Sequence, residues 1–142
     1  MKRREAREAA FLLTYQRSVR NDAIDEIIES AVEGDAFELN DFAKELVTLC
    51  DEHLEEIDEA IERNMQKWKI NRLSKLTLGA LRIAVCELMY RPDVPVAVTI
   101  NEVIEILKKY ASEEDAAFLN GVLGAVVKNE DIKKDSDAKE ED

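Results

Sequence analysis

Residues 73–90, LSKLTLGALRIAVCELMY, decide the fold. Leu76, Leu78, Leu81, Ile83, Ala84, Val85, Leu88 and Met89 fall on every side of a helix with 3.6 residues per turn. A helix that is apolar all round is buried all round, so this segment is expected at the centre of the molecule with other helices around it. Its charged residues are then the anomalies. Arg82, on an otherwise apolar helix, needs a carboxylate or a phosphate as partner.

The helical period continues on both sides. Downstream, Pro92 and Pro95 break the chain, and Thr99 three residues before Glu102 reads as a capping box opening a helix whose stripe is Ile100, Val103, Ile104 and Leu107. Ser112 and Asp115 repeat that start signal before Phe118, Leu119, Val122, Leu123 and Val126. Gly121 and Gly124 in this last helix each cost about 1 kcal/mol of helix propensity, which points to close approach by a neighbour or a ligand.

Upstream, a helix over about 3–18 carries Ala6, Ala9, Ala10 and Leu13 on one side. A short helix over about 22–33 offers Ile24, Ile27, Ile28 and Val32, and Gly34 ends it. Leu39, Ala43, Leu46, Cys50, His53, Ile57, Ala60 and Asn64 then follow steps of four and three, the stripe of one long helix of about 28 residues. A turn near Trp68 and Asn71–Arg72 divides two helical halves. From Lys128 the apolar period is lost and charges dominate, so residues 129–142 are expected as a disordered acidic tail on a folded domain over 1–128.

These signals describe one all-helical domain. Its 142 residues suffice for a real core, and 46% hydrophobic content with 4 Gly and 2 Pro favours a soluble helical protein over a β-rich one. No apolar run reaches the roughly 20 residues that cross a bilayer, and no apolar leader follows the basic N-terminus, so a cytoplasmic protein without membrane contact is expected. Cys50 and Cys86 stand apart among apolar residues, as buried reduced thiols do.

Little in the chain resembles catalysis. There is one His, no Gly-rich phosphate loop, no HExxH or CxxC spacing and no Gly-x-Ser-x-Gly elbow, so neither an enzyme nor a metal or cofactor site is expected. His53 reads as a boundary histidine, and neighbouring acids such as Glu55 and Glu56 diverge by ~100° on a helix.

Charge is distributed unevenly. In the first twenty residues Lys2, Arg3, Arg4, Arg7, Arg17 and Arg20 face only Glu5 and Glu8, a net of +4 in a chain of −12, which leaves −16 for the remainder. Affinity for a polyanion is therefore concentrated at the first helix, where Arg3, Arg4 and Arg7 share a face. The plain alternative is that these residues are a solvated helix surface.

Three stretches narrow the choice. They are Arg3-Arg4-Glu5-Ala6-Arg7-Glu8-Ala9-Ala10-Phe11-Leu12-Leu13-Thr14-Tyr15-Gln16; Trp68 through Arg72-Leu73 to Leu81-Arg82-Ile83-Ala84-Val85-Cys86-Glu87-Leu88; and Val94-Pro95, Ile100-Asn101-Glu102-Val103-Ile104-Glu105-Ile106, Lys109-Tyr110 and Phe118-Leu119-Asn120-Gly121-Val122-Leu123. In this order and spacing the chain resembles the NusB family of bacterial transcription antitermination factors, over residues 3 to about 127. The resemblance implies two stacked three-helix bundles. It also implies binding of single-stranded boxA-type RNA in ribosomal RNA transcripts, together with the ribosomal protein NusE, within an RNA polymerase complex that resists termination. Some members of the family self-associate, so a homodimer is a further expectation.

Carried over by position, the RNA-binding candidates are Lys2, Arg3, Arg4, Arg7, Arg82, Lys109, Tyr110, Glu114, Phe118, Asn120 and Gly121, with Tyr15 near the partner site. Guanidinium and ammonium groups suit phosphates, and aromatic faces suit bases. Leu119 replaces the valine of the family's FVNGV block. Glu5 and Glu8 dilute the basic patch, so affinity is expected mainly when a basic partner extends it. About four phosphate contacts give a log–log salt slope near −3. Reversal of Arg3 and Arg7 is expected to abolish RNA binding at a stability cost within ~0.5 kcal/mol. The competing reading is a helical protein–protein adaptor that docks NusE or another partner without RNA recognition of its own.

Overall fold

The computed structural model describes residues 2–34, 39–66, 69–132 and 134. Seven α-helices and one 3-10 turn make up its regular structure: α1 (Arg3–Val19), α2 (Ile24–Glu33), α3 (Asp41–Glu52), α4 (Leu54–Arg63), the turn Ile70–Arg72, α5 (Lys75–Tyr90), α6 (Val96–Lys108) and α7 (Glu113–Asn129). The expected all-helical class holds, with no strand among the described residues.

Helix α5 is the axis. The Ser74 side chain accepts the Thr77 N–H at 3.2 Å to start it, and α1, α3, α4, α6 and α7 all pack on its sides. Ala80, Leu81, Ile83, Ala84, Val85 and Cys86 are each fully buried, as the all-round apolar pattern requires. Full burial of a side chain such as Leu81 or Ile83 stabilises by ~1.5–3 kcal/mol. Helices α1, α2 and α3 pack mutually as one bundle, and α5, α6 and α7 as the other. The α1–α5 contact joins the two bundles.

One expected helix is two. The long stripe breaks at His53, where φ is −109° and ψ is 22°. Its second half, α4, packs on α5 and α7 and so makes the second bundle four-helical. The backbone bonds bridge the bend, with His53 N–H donating to Leu49 O at 3.0 Å and Ile57 N–H to His53 O at 2.9 Å. The His53 ring stacks on Tyr90, the last residue of α5, with centroids 4.0 Å apart.

Helix α6 starts earlier than its expected capping box. Pro95 holds the cap position and Val96 the first turn. Thr99 is fully buried inside the helix, and its hydroxyl donates to Glu87 Oε1 at 2.8 Å. The start signal of α7 is realised as expected: the Ser112 hydroxyl accepts the Asp115 N–H at 3.1 Å, and Asp115 accepts the Ser112 N–H at 3.2 Å.

Packing continues past residue 128. Glu130 accepts Arg63 Nη2 at 2.6 Å and Asn64 Nδ2 at 3.0 Å, and Ile132 packs against the core. Lys134 Nζ donates to the carbonyls of Glu87 at 3.0 Å and Arg91 at 2.8 Å, a cation on the carbonyl end of α5. The rest of the expected tail, residue 133 and residues 135–142, lies outside the described residues, as does Trp68. Cys50 and Cys86 are free and buried, as expected of reduced thiols.

Candidate nucleic-acid interface

Successive turns bring Arg4, Glu8, Phe11 and Tyr15 to one side of α1, where the middle of α6 meets Arg4 and its end meets Glu8 and Phe11. Arg4 Nε donates to Glu102 Oε2 at 2.5 Å. Lys109 Nζ donates to Glu8 Oε1 at 2.6 Å, and the Tyr110 hydroxyl donates to Glu8 Oε2 at 2.5 Å. The Tyr110 ring leans on buried Phe11, with centroids 5.3 Å apart and planes 48° apart. It stays 37% exposed, an aromatic face open to solvent beside two exposed cations, Arg4 and Lys109.

The ionisation states hold this arrangement in place. Burial alone would raise the Glu8 carboxyl, but the bonds from Lys109 and Tyr110 and the Lys109 charge bring it below the ordinary carboxylate value. Tyr110 is pushed up to about 12 by burial and by its bond to the Glu8 carboxylate. Near neutral pH Glu8 is therefore charged and Tyr110 remains a donor.

Two residues beyond Tyr110 the cap of α7 begins, and it carries the surface onward. A cavity of about 410 Å³ is lined by Arg72, Leu73, Ser74, Thr77, Glu114, Asp115 and Phe118. Half-buried Phe118 also walls a second depression of about 390 Å³, where Asn64, Met65 and Gln66 face Gly121, Val122 and Ala125. Asn120 and Gly121 are exposed on α7. A Cβ at Gly121 or Gly124 would meet nothing within 4 Å, so no neighbour among the described residues accounts for either glycine. Gly121→Ala should therefore stabilise the fold, by up to ~1 kcal/mol in urea denaturation. If a ligand closes on that backbone, the same variant should bind it more weakly.

Three candidates stand elsewhere. Arg7 is not a surface residue: it is 1% exposed, and its Nε donates to Glu87 Oε2 at 2.7 Å within the core. Glu87 is itself fully buried and also accepts the Thr99 hydroxyl, so Arg7, Glu87 and Thr99 tie α1, α5 and α6 together. Arg3 faces away from Lys109, with Nη1 at 3.7 Å from Asp93 Oδ2 and its guanidinium 4.3 Å from the Phe42 ring centre. Arg91 lies over the same ring at 4.8 Å. Arg91 hydrogen-bonds Asp93, and that bond, against the effect of burial, holds the Asp93 carboxyl at about 2. Arg82 makes a two-pronged pair with Asp58, at 2.9 and 2.7 Å, near Thr14 and Arg17 toward the other end of α1. The carboxylate that an arginine on this apolar helix requires is thus Asp58 of α4.

Lys109 and Tyr110 therefore meet at Glu8, Arg4 lies one turn earlier on the same helix, and Lys2 is exposed one residue before α1. Glu114 and Phe118 share the adjoining cavity, with Asn120 and Gly121 on the same helix. Tyr15 is half-buried two turns along α1 from Glu8. The reading of the residues missed Glu102 as a partner of Arg4, and Ser74 and Thr77 as cavity lining; nothing local in the sequence pairs positions 98 residues apart.

Residues 4–128 match the model of the NusB family. The chain belongs to the NusB family. A transcription antitermination protein NusB from Ruminiclostridium cellulolyticum is 40% identical, with all of this chain and 99% of the relative covered. Among solved structures, the antitermination factors NusB and NusE in complex with dsRNA contain a chain that superposes with a TM-score of 0.81 at 34% identity, covering 89% of this chain and 96% of that one. The solution structure of NusB from Aquifex aeolicus gives a TM-score of 0.78 at 33% identity, over 100% of this chain and 97% of that one. In this member of the NusB family, Arg4, Lys109 and the open Tyr110 lie on the face made by α1, α6 and the start of α7.

Proposed function

We infer that this chain is a transcription antitermination factor that binds boxA-type RNA of ribosomal RNA transcripts together with the ribosomal protein NusE, and so helps RNA polymerase resist termination. Family membership and likeness to a NusB chain described in complex with NusE and dsRNA support the reading. The observation that carries it is the seam between α1 and α6, where Arg4 bonds Glu102 and, one turn on, Lys109 and the open Tyr110 meet at Glu8, on a chain whose net charge is −12.

Arg4 and Lys109 can donate charge-assisted bonds to phosphate oxygens, and Tyr110 can stack on an unpaired base, the two contacts single-stranded RNA requires. The role is recognition and scaffolding rather than catalysis. It is exercised where transcripts are made, in the bacterial cytoplasm, and none of the described helices is long and apolar enough to cross a membrane. The acidic remainder repels RNA, so a basic ribosomal protein beside this face supplies the missing positive surface.

With Arg7 inside the core, the exposed cations among the candidate residues are Lys2, Arg4 and Lys109, and Arg72 is exposed at the adjoining cavity. At roughly −0.7 per phosphate for single strands, these three cations should contribute no more than about −2 to the log–log salt slope of RNA affinity, with any contacts from NusE adding to it. Titration of a labelled single-stranded RNA at several salt concentrations, with NusE present, measures it. RNA affinity independent of salt would contradict this assignment of the face.

A further inference from the structure

Two outward cations of the proposed RNA face, Arg4 and Lys109, already hold carboxylates of the same chain. Arg4 pairs with Glu102, and Lys109 pairs with Glu8. The cations lie outside and the carboxylates beneath: Arg4 and Lys109 side chains are 62% and 58% exposed, whereas Glu102 and Glu8 are 23% and 20% exposed. A phosphate arriving from solvent meets each cation first, but it meets a pair whose net charge is zero. Glu8 also takes the Tyr110 hydroxyl, so one carboxylate fixes both the phosphate donor and the stacking ring.

We propose that Glu8 and Glu102 are affinity-setting residues, carboxylates that occupy the cations of this face until phosphates displace or outcompete them. The inference rests on the RNA-binding reading above and adds residues that limit it. Mechanistically, each pair keeps a long, flexible cation in a defined position before binding, which spares part of the ordering cost. It also subtracts Coulomb attraction for phosphate, so the chain alone holds RNA weakly and useful affinity requires a partner. A carboxylate freed during binding gathers a cation from solution. That uptake offsets a counterion released from RNA and makes the salt slope shallower than the phosphate count alone allows.

Glu8→Gln tests this while keeping an acceptor for Tyr110, and Glu102→Gln tests the second pair. Glu29→Gln on exposed α2 makes the same change of net charge away from the face. Anisotropy titrations with a labelled boxA-like RNA and NusE should show affinity about two- to fivefold higher for Glu8→Gln, the scale of an exposed ion pair. The salt slope should steepen, and thermal melting should confirm that each variant is folded. Glu29→Gln should stay within about twofold of the parent, because surface charges beyond a Debye length of ~8 Å are screened. Unchanged or weaker affinity in both face variants, or an equal rise in Glu29→Gln, overturns the inference while leaving RNA binding intact. Absence of RNA binding in the parent protein overturns the functional reading beneath it, and the inference with it.

Discussion

Truncation of Arg7 to alanine should destabilise the protein by ~3–5 kcal/mol, although a helical-wheel reading places Arg7 on a basic surface. The guanidinium is 1% exposed, and its partner Glu87 is fully buried in α5, where the remaining side-chain contact is the Thr99 hydroxyl. Removing the cation leaves a carboxylate in the core without its counter-charge, the costly way to break a buried pair. Arg7 also lies 5.3 Å from the Phe42 ring centre, so truncation disturbs the α1–α3 seam as well. Total stabilities of natural domains run ~5–15 kcal/mol, so the loss approaches unfolding. Urea denaturation followed by circular dichroism reads it directly. A change within ~0.5 kcal/mol, the value for an exposed position, would place Arg7 at the surface after all.

Removal of Arg4 and Lys109 together should have the opposite profile. Arg4→Ala with Lys109→Ala takes two of the three exposed candidate cations, Lys2, Arg4 and Lys109, and should lower RNA affinity on the order of a hundredfold. The slope of log affinity against log salt should become shallower by about 1.4, the share of two phosphate contacts. Stability should change by about 1 kcal/mol or less, because both side chains are mostly exposed and surface pairs of this kind contribute ~0.2–1 kcal/mol. Parallel titrations and melts of the double variant check both halves. Loss of fold with loss of binding would mean that these residues hold α6 to α1 and that the RNA face lies elsewhere.

Features legible in the sequence were those a short window contains. The all-round apolar run at 73–90 placed α5 at the centre, and Ser112 with Asp115 marked the start of α7. The break at His53 was illegible because residues 41–63 contain no Gly or Pro and the apolar stripe runs through unbroken; the ring that stacks on His53 belongs to Tyr90, 37 residues away. Thr99 resembled a cap because its spacing to Glu102 is right, whereas Pro95 had already started the helix and Glu87 takes the hydroxyl.

Arg7 is the instructive case for the site. Its face and spacing match those of Arg3 and Arg4, and its partner lies 80 residues away. A signal did exist: Glu87 is a carboxylate on the same apolar helix as Arg82, and a buried carboxylate demands a cation as strongly as a buried arginine demands an anion. The resemblance supplied Lys109 and Tyr110 by position. That they meet at Glu8, on the far side of the sequence, follows only from the packing of α6 against α1.

The most direct test of the central claim is fluorescence anisotropy of a boxA-like RNA titrated with this protein, with and without NusE, beside a scrambled RNA of equal length. Tighter binding of the boxA-like strand when NusE is present, lost in the Arg4→Ala, Lys109→Ala double variant, is the predicted result. Equal affinity for both strands in both conditions would contradict it and leave a helical adaptor whose partners are proteins.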